Sequence, residues 1–153
     1  MTIIAIDPGL TGGFAVLSNT GEYISAQPLP IIRDASLAWI DGGDLRGMII
    51  AAKDSTPTCC IIERVSAMPK QGVSSSFLFG VGFGSLLGAC GVLGIRTHLV
   101  TPAVWKRGLG LSRDKNASLD KARMLFPDAP LSRKKDDGVA EALLLAHWFV
   151  KTR

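Results

Sequence analysis

Short apolar runs separated by glycine-rich turns dominate the first third of the chain. The first run is apolar at successive positions, as in a strand that is buried on both faces. Gly12-Gly13 precede the second run, and Asn19-Thr20-Gly21 form a turn signal between the second run and the third. Three strands are therefore predicted to form an antiparallel meander, at residues 2–7, 14–17 and 22–26.

Helical and strand-like segments alternate after a loop that is predicted at residues 28–43. The predicted elements are helices at 44–53, 73–93, 115–126 and 136–150, strands at 59–63 and 96–100, and a short helix begun by Thr101-Pro102. Because a helix crosses over between the meander and the strand at 59–63, that strand is predicted to run parallel to the first one. The pattern indicates an α/β fold with a five-stranded mixed sheet, in which an antiparallel three-stranded meander and two parallel strands are flanked by helices.

Length and composition favour a single domain over residues 1–153, because ordinary domains have about 100–200 residues. A hydrophobic content of 47% and a charged content of 20% exclude a disordered chain. Cys59, Cys60 and Cys90 lie in apolar runs without CxxC spacing, which favours buried free thiols in a reducing compartment. No secretory signal is predicted, since the N-terminus runs straight into a strand, and a cytoplasmic location is expected.

One uncharged segment, residues 71–95, is long enough to cross a bilayer, which takes about 20 apolar residues. It also contains three consecutive serines and seven glycines, with few large aliphatic side chains per turn. This composition favours a buried helix over a membrane span. Gly80, Gly84 and Gly88 recur every four residues, which would allow close packing either against a partner helix or within the chain. Both alternatives stay open.

Positive charge is concentrated in one part of the chain. Residues 101–135 hold nine lysines and arginines against three aspartates, whereas the net charge of the whole chain is only +4. A local excess of this kind is typical of proteins that bind a polyanion such as nucleic acid. The alternative is a solvated helical face.

Four acidic residues occupy positions that a buried structure does not normally tolerate. Asp7 and Glu63 end two apolar runs, and the parallel strands predicted there would bring both carboxylates to one edge of the sheet. Asp137 and Glu141 are four residues apart, so they share one face of the last helix. Converging carboxylates repel each other unless a cation lies among them, and oxygen-only ligands favour Mg²⁺ or Mn²⁺ over zinc. Two such ions about 3.5–4 Å apart can promote phosphodiester cleavage.

Each acid taken alone has a more ordinary explanation. It can be a helix N-cap, a surface charge or a partner in an ion pair with the basic region. Asp136 has the weakest case as a ligand, because it lies beside Asp137 at the helix start and can act as a cap.

The three acidic blocks, taken in order, resemble a known family. The motifs are Ile6-Asp7-Pro8-Gly9 followed by Gly12-Gly13, then Ile62-Glu63-Arg64-Val65, and finally Asp136-Asp137-Gly138-Val139-Ala140-Glu141-Ala142-Leu143. They are similar to those of the RuvC-type Holliday junction resolvases, most closely the phage-borne members, and the likeness covers nearly the whole chain. The resemblance implies an RNase H-like fold and a homodimer that nicks two opposed strands of a four-way or branched DNA junction. A phage-encoded protein would act in the cytoplasm of a bacterial host.

The resemblance also implies a site for two Mg²⁺ or Mn²⁺ ions, with no nucleotide cofactor. The catalytic and metal-binding residues that it indicates are Asp7, Glu63, Asp137 and Glu141. The last acid is a glutamate where bacterial members usually have aspartate, and its helical partner is four residues back rather than three. Asp136 is therefore the alternative to Asp137 as a catalytic residue.

Residues that follow the second acid are expected to reach into the junction core, as the family implies. Met68 is the apolar residue that would replace the family's aromatic wedge there, and Lys70 is expected to contact DNA beside it. The other residues predicted to contact DNA phosphates are Lys106, Arg113, Lys115, Arg133, Lys134 and Lys135.

Two other functions remain compatible with the sequence. A junction-binding protein without catalytic activity would share the fold, although the presence of all four acids argues against it. An actin-like ATPase or sugar kinase also carries an Asp-x-Gly phosphate loop, but it needs two related domains, and this chain has no internal repeat.

Overall fold

The computed structural model describes residues 1–35, 37–53, 58–66, 72–111 and 115–153, with the backbone alone for Lys115. The strands are β1 (Thr2–Ile6), β2 (Gly13–Ser18), β3 (Tyr23–Pro28), β4 (Ile31–Arg33), β5 (Ala38–Ile40), β6 (Thr58–Glu63) and β7 (Arg96–Val100). The helices are α1 (Gly42–Ala52), α2 (Val73–Val92), α3 (Pro102–Gly108), α4 (Lys115–Leu125) and α5 (Asp137–Lys151), and a 3₁₀ turn at Lys134–Asp136 leads into α5.

The main sheet has five strands in the order β3-β2-β1-β6-β7. β1 pairs antiparallel with β2, and β2 with β3, whereas β6 runs parallel to both β1 and β7. β1 and β6 lie at the centre because nearly every residue in them is apolar, as a strand covered on both faces requires. The predicted mixed sheet is confirmed.

Alternate residues of the central strands face two separate hydrophobic layers. Ile3 and Ala5 of β1 pack with α3, α4 and α5 on one face of the sheet. Ile4 and Ile6 pack with α1, α2 and β5 on the other face. The fold is therefore a helix–sheet–helix sandwich, and α5 is the central helix of its layer because it contacts β1, β2, β3 and β6.

Residues 28–43 differ from the predicted loop. They contain a two-stranded hairpin in which β4 pairs antiparallel with β5 and Ile31 lies opposite Ile40. Strands this short show little periodicity in the sequence. The turn-forming residues beside them, Pro28, Pro30 and Gly42-Gly43, favoured the prediction of a loop. α1 then begins two residues before the predicted start, because the Asp41 carboxylate accepts hydrogen bonds from the Gly43 and Asp44 amides at 2.8 and 3.1 Å.

α2 differs from the prediction of a buried helix. Only Gly82, Leu86 and Cys90 are buried, and Val81 is 42% exposed. By length and composition α2 could span a membrane, but a single helix that passes this test is weak support for a span. All three cysteines are buried and free, as predicted.

Candidate active site

The C-terminal ends of β1 and β6 bring the first two acids together. In the parallel register Ile6 lies opposite Ile62, so Asp7 follows β1 beside the residue that ends β6, Glu63. The Glu63 side chain is only 8% exposed, and Asp7 is partly buried. Two carboxylates thus meet at the carboxyl edge of the sheet, where α/β proteins bind ligands.

Three glycines bring the start of α5 to the same edge. Gly12 forms a parallel bridge with Gly138, and the Asp7 amide donates to the Gly13 carbonyl at 3.0 Å. A Cβ on Gly13 would lie 2.5 Å from the Gly138 carbonyl oxygen, and a Cβ on Gly12 or Gly138 would collide with the facing backbone. The backbone of the loop after β1 therefore contacts the backbone of the first turn of α5. This contact places Asp137 beside Asp7.

The electrostatics of Asp7 show that the four carboxylates are neighbours. The pKa of Asp7 is raised from 3.8 to about 8, and burial is the largest cause. The carboxylates that raise this pKa further are those of Glu63, Glu141 and Asp137, and the Lys106 ammonium opposes them. The pKa of Glu63 is also raised, first by burial and then by Glu141.

The short helix α3 supplies a partner to two of these acids. The Lys106 Nζ atom lies 2.6 Å from Glu141 Oε1, with side chains 25% and 15% exposed. The Trp105 Nε1–H group donates to Glu63 Oε2 at 2.7 Å, and the Trp105 side chain is completely buried. The hydrogen bond between Trp105 and Glu63 was not predicted from the sequence. The signal available in the sequence was general, since a buried indole usually finds an acceptor.

The aspartate doublet is divided between two roles. Asp136 is 2% exposed, and its carboxylate accepts from Arg133 Nη2 at 2.7 Å and from the Arg133 backbone amide at 2.8 Å. The hydrogen bond from the Arg133 side chain is the main reason that the pKa of Asp136 is lowered. Asp136 thus holds the turn before α5, whereas Asp137 is close enough to affect Asp7. This geometry favours Asp137 over Asp136 as the acid that acts with Asp7.

Two of the predicted DNA-binding lysines line a cavity beside Asp137. A cavity of about 410 Å³ is lined by Asn116, Leu119, Lys134, Lys135 and Asp137. Lys134 and Lys135 are both exposed, so a polyanion could reach them beside Asp137. Met68, Lys70 and Arg113 lie outside the described residues, as does the side chain of Lys115.

The acids are close in space but are not arranged as a finished metal site. Within the described residues, no group of three or more His, Cys, Asp or Glu side chains is positioned to hold a metal ion. Lys106 brings a positive charge to the carboxylates, through its ion pair with Glu141. The donors nevertheless fit a hard divalent cation, because they are all carboxylate oxygens and because repulsion from the neighbouring carboxylates adds to burial in raising the pKa of Asp7.

No protein-family model matches the chain. Over 91 residues, which cover 57% of this chain, it is 36% identical to the chloroplastic Holliday junction resolvase MOC1 of Chlamydomonas reinhardtii. The matched region spans only 10% of that protein's length.

Solved structures of Thermus thermophilus RuvC show the same fold along almost the whole chain. One is a complex with a Holliday junction substrate, and it matches with a TM-score of 0.63 and 15% identity over 99% of this chain and 96% of that chain. A second RuvC structure gives a TM-score of 0.61 and 18% identity with the same coverage. The RNase H-like fold that the sequence motifs implied is confirmed.

Proposed function

We propose that the chain, which has the fold of RuvC and is similar in sequence to a Holliday junction resolvase, is a divalent-metal-dependent endonuclease that nicks four-way DNA junctions. The observation that carries this proposal is the convergence of the four carboxylates beside a lysine-lined cavity. A nuclease needs both features, since it must gather cations at a scissile phosphate and hold the phosphates on either side of it.

In this proposal the metal would be held by carboxylates from three elements of the fold. Asp7, Glu63, Asp137 and Glu141 would bind one or two Mg²⁺ or Mn²⁺ ions. Once bound, such ions supply activation of the attacking water and stabilisation of the leaving oxygen. The protein's own contribution is to keep Asp7 and Glu63 at fixed strand ends, in a partly dry site where charge interactions are strong.

Lys106 would change partner when a cation enters the site. In the structure it compensates Glu141 at 2.6 Å, and a flexible lysine that is released from this pair could contact a DNA phosphate instead. Lys134 and Lys135, at the neighbouring cavity, would bind the backbone without reading the sequence. Recognition of junction shape requires contacts of this kind.

The exposed face of α2 would form the interface of a homodimer. Val81 is partly exposed on this face, and a Cβ added to Gly80, Gly84 or Gly88 would meet no atom of the described residues within 4 Å. The glycines therefore do not serve close packing within the described part of the chain. They would let a second copy of α2 approach closely, and two copies would provide two active sites for two opposed strands.

The decisive experiment is cleavage of a synthetic mobile four-way junction, in EDTA and with Mg²⁺ and Mn²⁺ separately. We expect paired nicks near the crossover only when metal is present, and little cleavage of a linear duplex with the same arm sequence. Asp7→Asn should still bind the junction but should not nick it. Tight junction binding with no nicking in either metal would overturn the proposal in favour of a catalytically silent binding protein.

A further inference from the structure

Glu63 has a hydrogen-bond donor that is unusual among the acids of the site. The Trp105 indole N–H reaches Glu63 Oε2 at 2.7 Å, a short distance for a bond of this type. An indole has one N–H and no acceptor, so it can only donate. It therefore occupies Oε2, whereas Oε1 accepts no hydrogen bond within the part of the chain that the structure describes.

Trp105 is held more rigidly than the other partner on α3. Its side chain is completely buried in the layer that contains α4 and α5. At the end of α3, a Cβ added to Gly108 would collide with the Trp148 indole, so α3 is seated directly against α5. An indole packed on all sides cannot leave Glu63 without opening the core.

Lys106, the next residue, has the opposite properties. Its side chain is 25% exposed, is flexible, and carries a charge that a metal ion would repel. α3 therefore presents one fixed neutral donor to Glu63 and one mobile cation to Glu141. Only the fixed donor is compatible with a carboxylate that binds metal at the same time.

We propose that Trp105 is a positioning residue, which fixes the orientation of Glu63 so that Oε1 is ready to bind a divalent cation. The inference rests on the proposed function for the role of Glu63 as a metal ligand. Partners that orient metal-binding side chains typically change metal affinity by about 10–100-fold when they are removed. Trp105 would act in this way through the hydrogen bond alone, without touching the metal or the DNA.

The first test is Mn²⁺ binding in the absence of DNA, measured by calorimetry. Trp105→Phe keeps an aromatic ring in the core and removes the N–H, so we expect Mn²⁺ affinity to fall by about tenfold or more. Trp148→Phe is the matched control, because it removes an indole that packs against the same helix at Gly108. Its Mn²⁺ affinity should stay within about twofold of the wild-type value. Equal affinities for wild type and Trp105→Phe would overturn the inference.

The second test measures the NMR resonance of the Trp105 indole N–H in a protein that keeps Trp105. It therefore remains decisive if Trp105→Phe does not fold. The chain has three tryptophans, and Trp39→Phe and Trp148→Phe assign their indole N–H resonances by elimination. We expect the Trp105 resonance to lie downfield of the others, as a bond to a carboxylate requires, and to shift on titration with Mg²⁺. A Trp105 resonance that Mg²⁺ leaves unmoved would contradict the proposal.

Nicking of junctions separates this inference from the proposed function. Trp105→Phe should regain most of the wild-type nicking rate at saturating Mn²⁺, with unchanged junction affinity, whereas a merely structural defect would not respond to metal. A wild-type protein that binds Mn²⁺ through this site but never nicks DNA would remove the nuclease proposal and leave the role of Trp105 intact.

Discussion

α5 and α2 are both strongly apolar helices, and they lie on opposite faces of the same sheet with very different surroundings. Eight residues of α5 are buried, including an unbroken run from Ala142 to Ala146. α2 is longer, yet only three of its residues are buried. The apolar side chains of α5 thus pack in the interior of the chain, whereas many of those of α2 are exposed.

The difference shows that apolar composition alone does not determine where a helix lies. α5 fills a layer that α3 and α4 complete, and its first five residues carry Asp137 and Glu141 to the edge of the sheet. On the outer face of α2, Phe77, Val81 and Val92 are exposed. A Cβ added to Gly80, Gly84 or Gly88 would meet open space among the described residues. Such a face stays apolar in a folded protein when another surface covers it.

The largest expected effect tests whether the α5 side of the sheet carries the chemistry. We expect Glu63→Gln and Glu141→Gln to reduce the rate of junction nicking by on the order of 10³-fold or more, because metal binding is worth several kcal/mol of transition-state stabilisation. Junction affinity, measured by gel shift in Ca²⁺, should stay within a few-fold.

The matched control for these variants is Glu22→Gln, since Glu22 is the one other glutamate of the sequence and is exposed in the turn before β3. It should nick at the wild-type rate. Collapse of junction affinity in both active-site variants would contradict the assignment, because it would make the glutamates binding residues.

Substituting one valine in each helix compares how much α5 and α2 contribute to the free energy of unfolding. Val139 in α5 is 3% exposed, whereas Val81 in α2 is 42% exposed. Val139→Ala should lower the free energy of unfolding by about 2 kcal/mol, from lost burial and the cavity left behind. Val81→Ala should change it by less than about 0.5 kcal/mol in the monomer. Urea unfolding at low protein concentration measures both, and equal losses would show that α2 is covered within the chain.

A charge on the open face of α2 should separate the proposed dimer. Gly84→Glu would place two buried like charges near each other across the interface, and we expect the dimer dissociation constant to rise at least tenfold, or about 1.4 kcal/mol. Gly47→Glu is the control, because a Cβ at Gly47 of α1 also meets open space. Sedimentation velocity at several concentrations checks the prediction. Identical behaviour of the two variants would remove α2 from the interface.

A pH dependence of stability is also expected on the α5 side of the sheet. In the folded state the pKa of Asp7 rises from 3.8 to about 8, so between these values the folded protein holds a proton that the unfolded chain has released. The resulting stabilisation is complete below the unfolded pKa and is lost as pH rises through the folded pKa. Without metal, the slope is at most ~1.4 kcal/mol per pH unit.

Urea unfolding in EDTA between about pH 6.5 and 8.5 would reveal this slope, since the window leads up to and through the folded pKa of Asp7. Asp7→Asn has no such proton to lose, so its stability should decrease less steeply than that of the wild type. Parallel curves for the two proteins would show that Asp7 is ionised in the folded state.

The mixed sheet and the positions of Asp7 and Glu63 after central strands could be predicted from the sequence, because both depend on local signals. A run without polar residues predicts a central strand, and an acid at its end is visible without any structure. The β4–β5 hairpin could not be predicted in this way, because three-residue strands have no measurable period.

Long-range partners were the part that sequence patterns could not supply. Trp105 and Glu63 are 42 positions apart, and nothing in either segment points to the other. The exposure of α2 was also unpredictable, because whether an apolar helix is covered depends on the size and position of every other element. Asp136 and Asp137 could be distinguished only once Arg133 was seen to bind the first of them.

The contact between Gly12 and Gly138 has a consequence for how this site tolerates evolutionary change. The two motifs are joined through peptide groups rather than through side chains, so the spacing of their acids does not depend on which hydrophobic residues fill the layers around them. Core side chains can therefore be exchanged over generations without moving the carboxylates. A single methyl group at either glycine would instead push the two motifs apart, and no substitution elsewhere could restore the lost room.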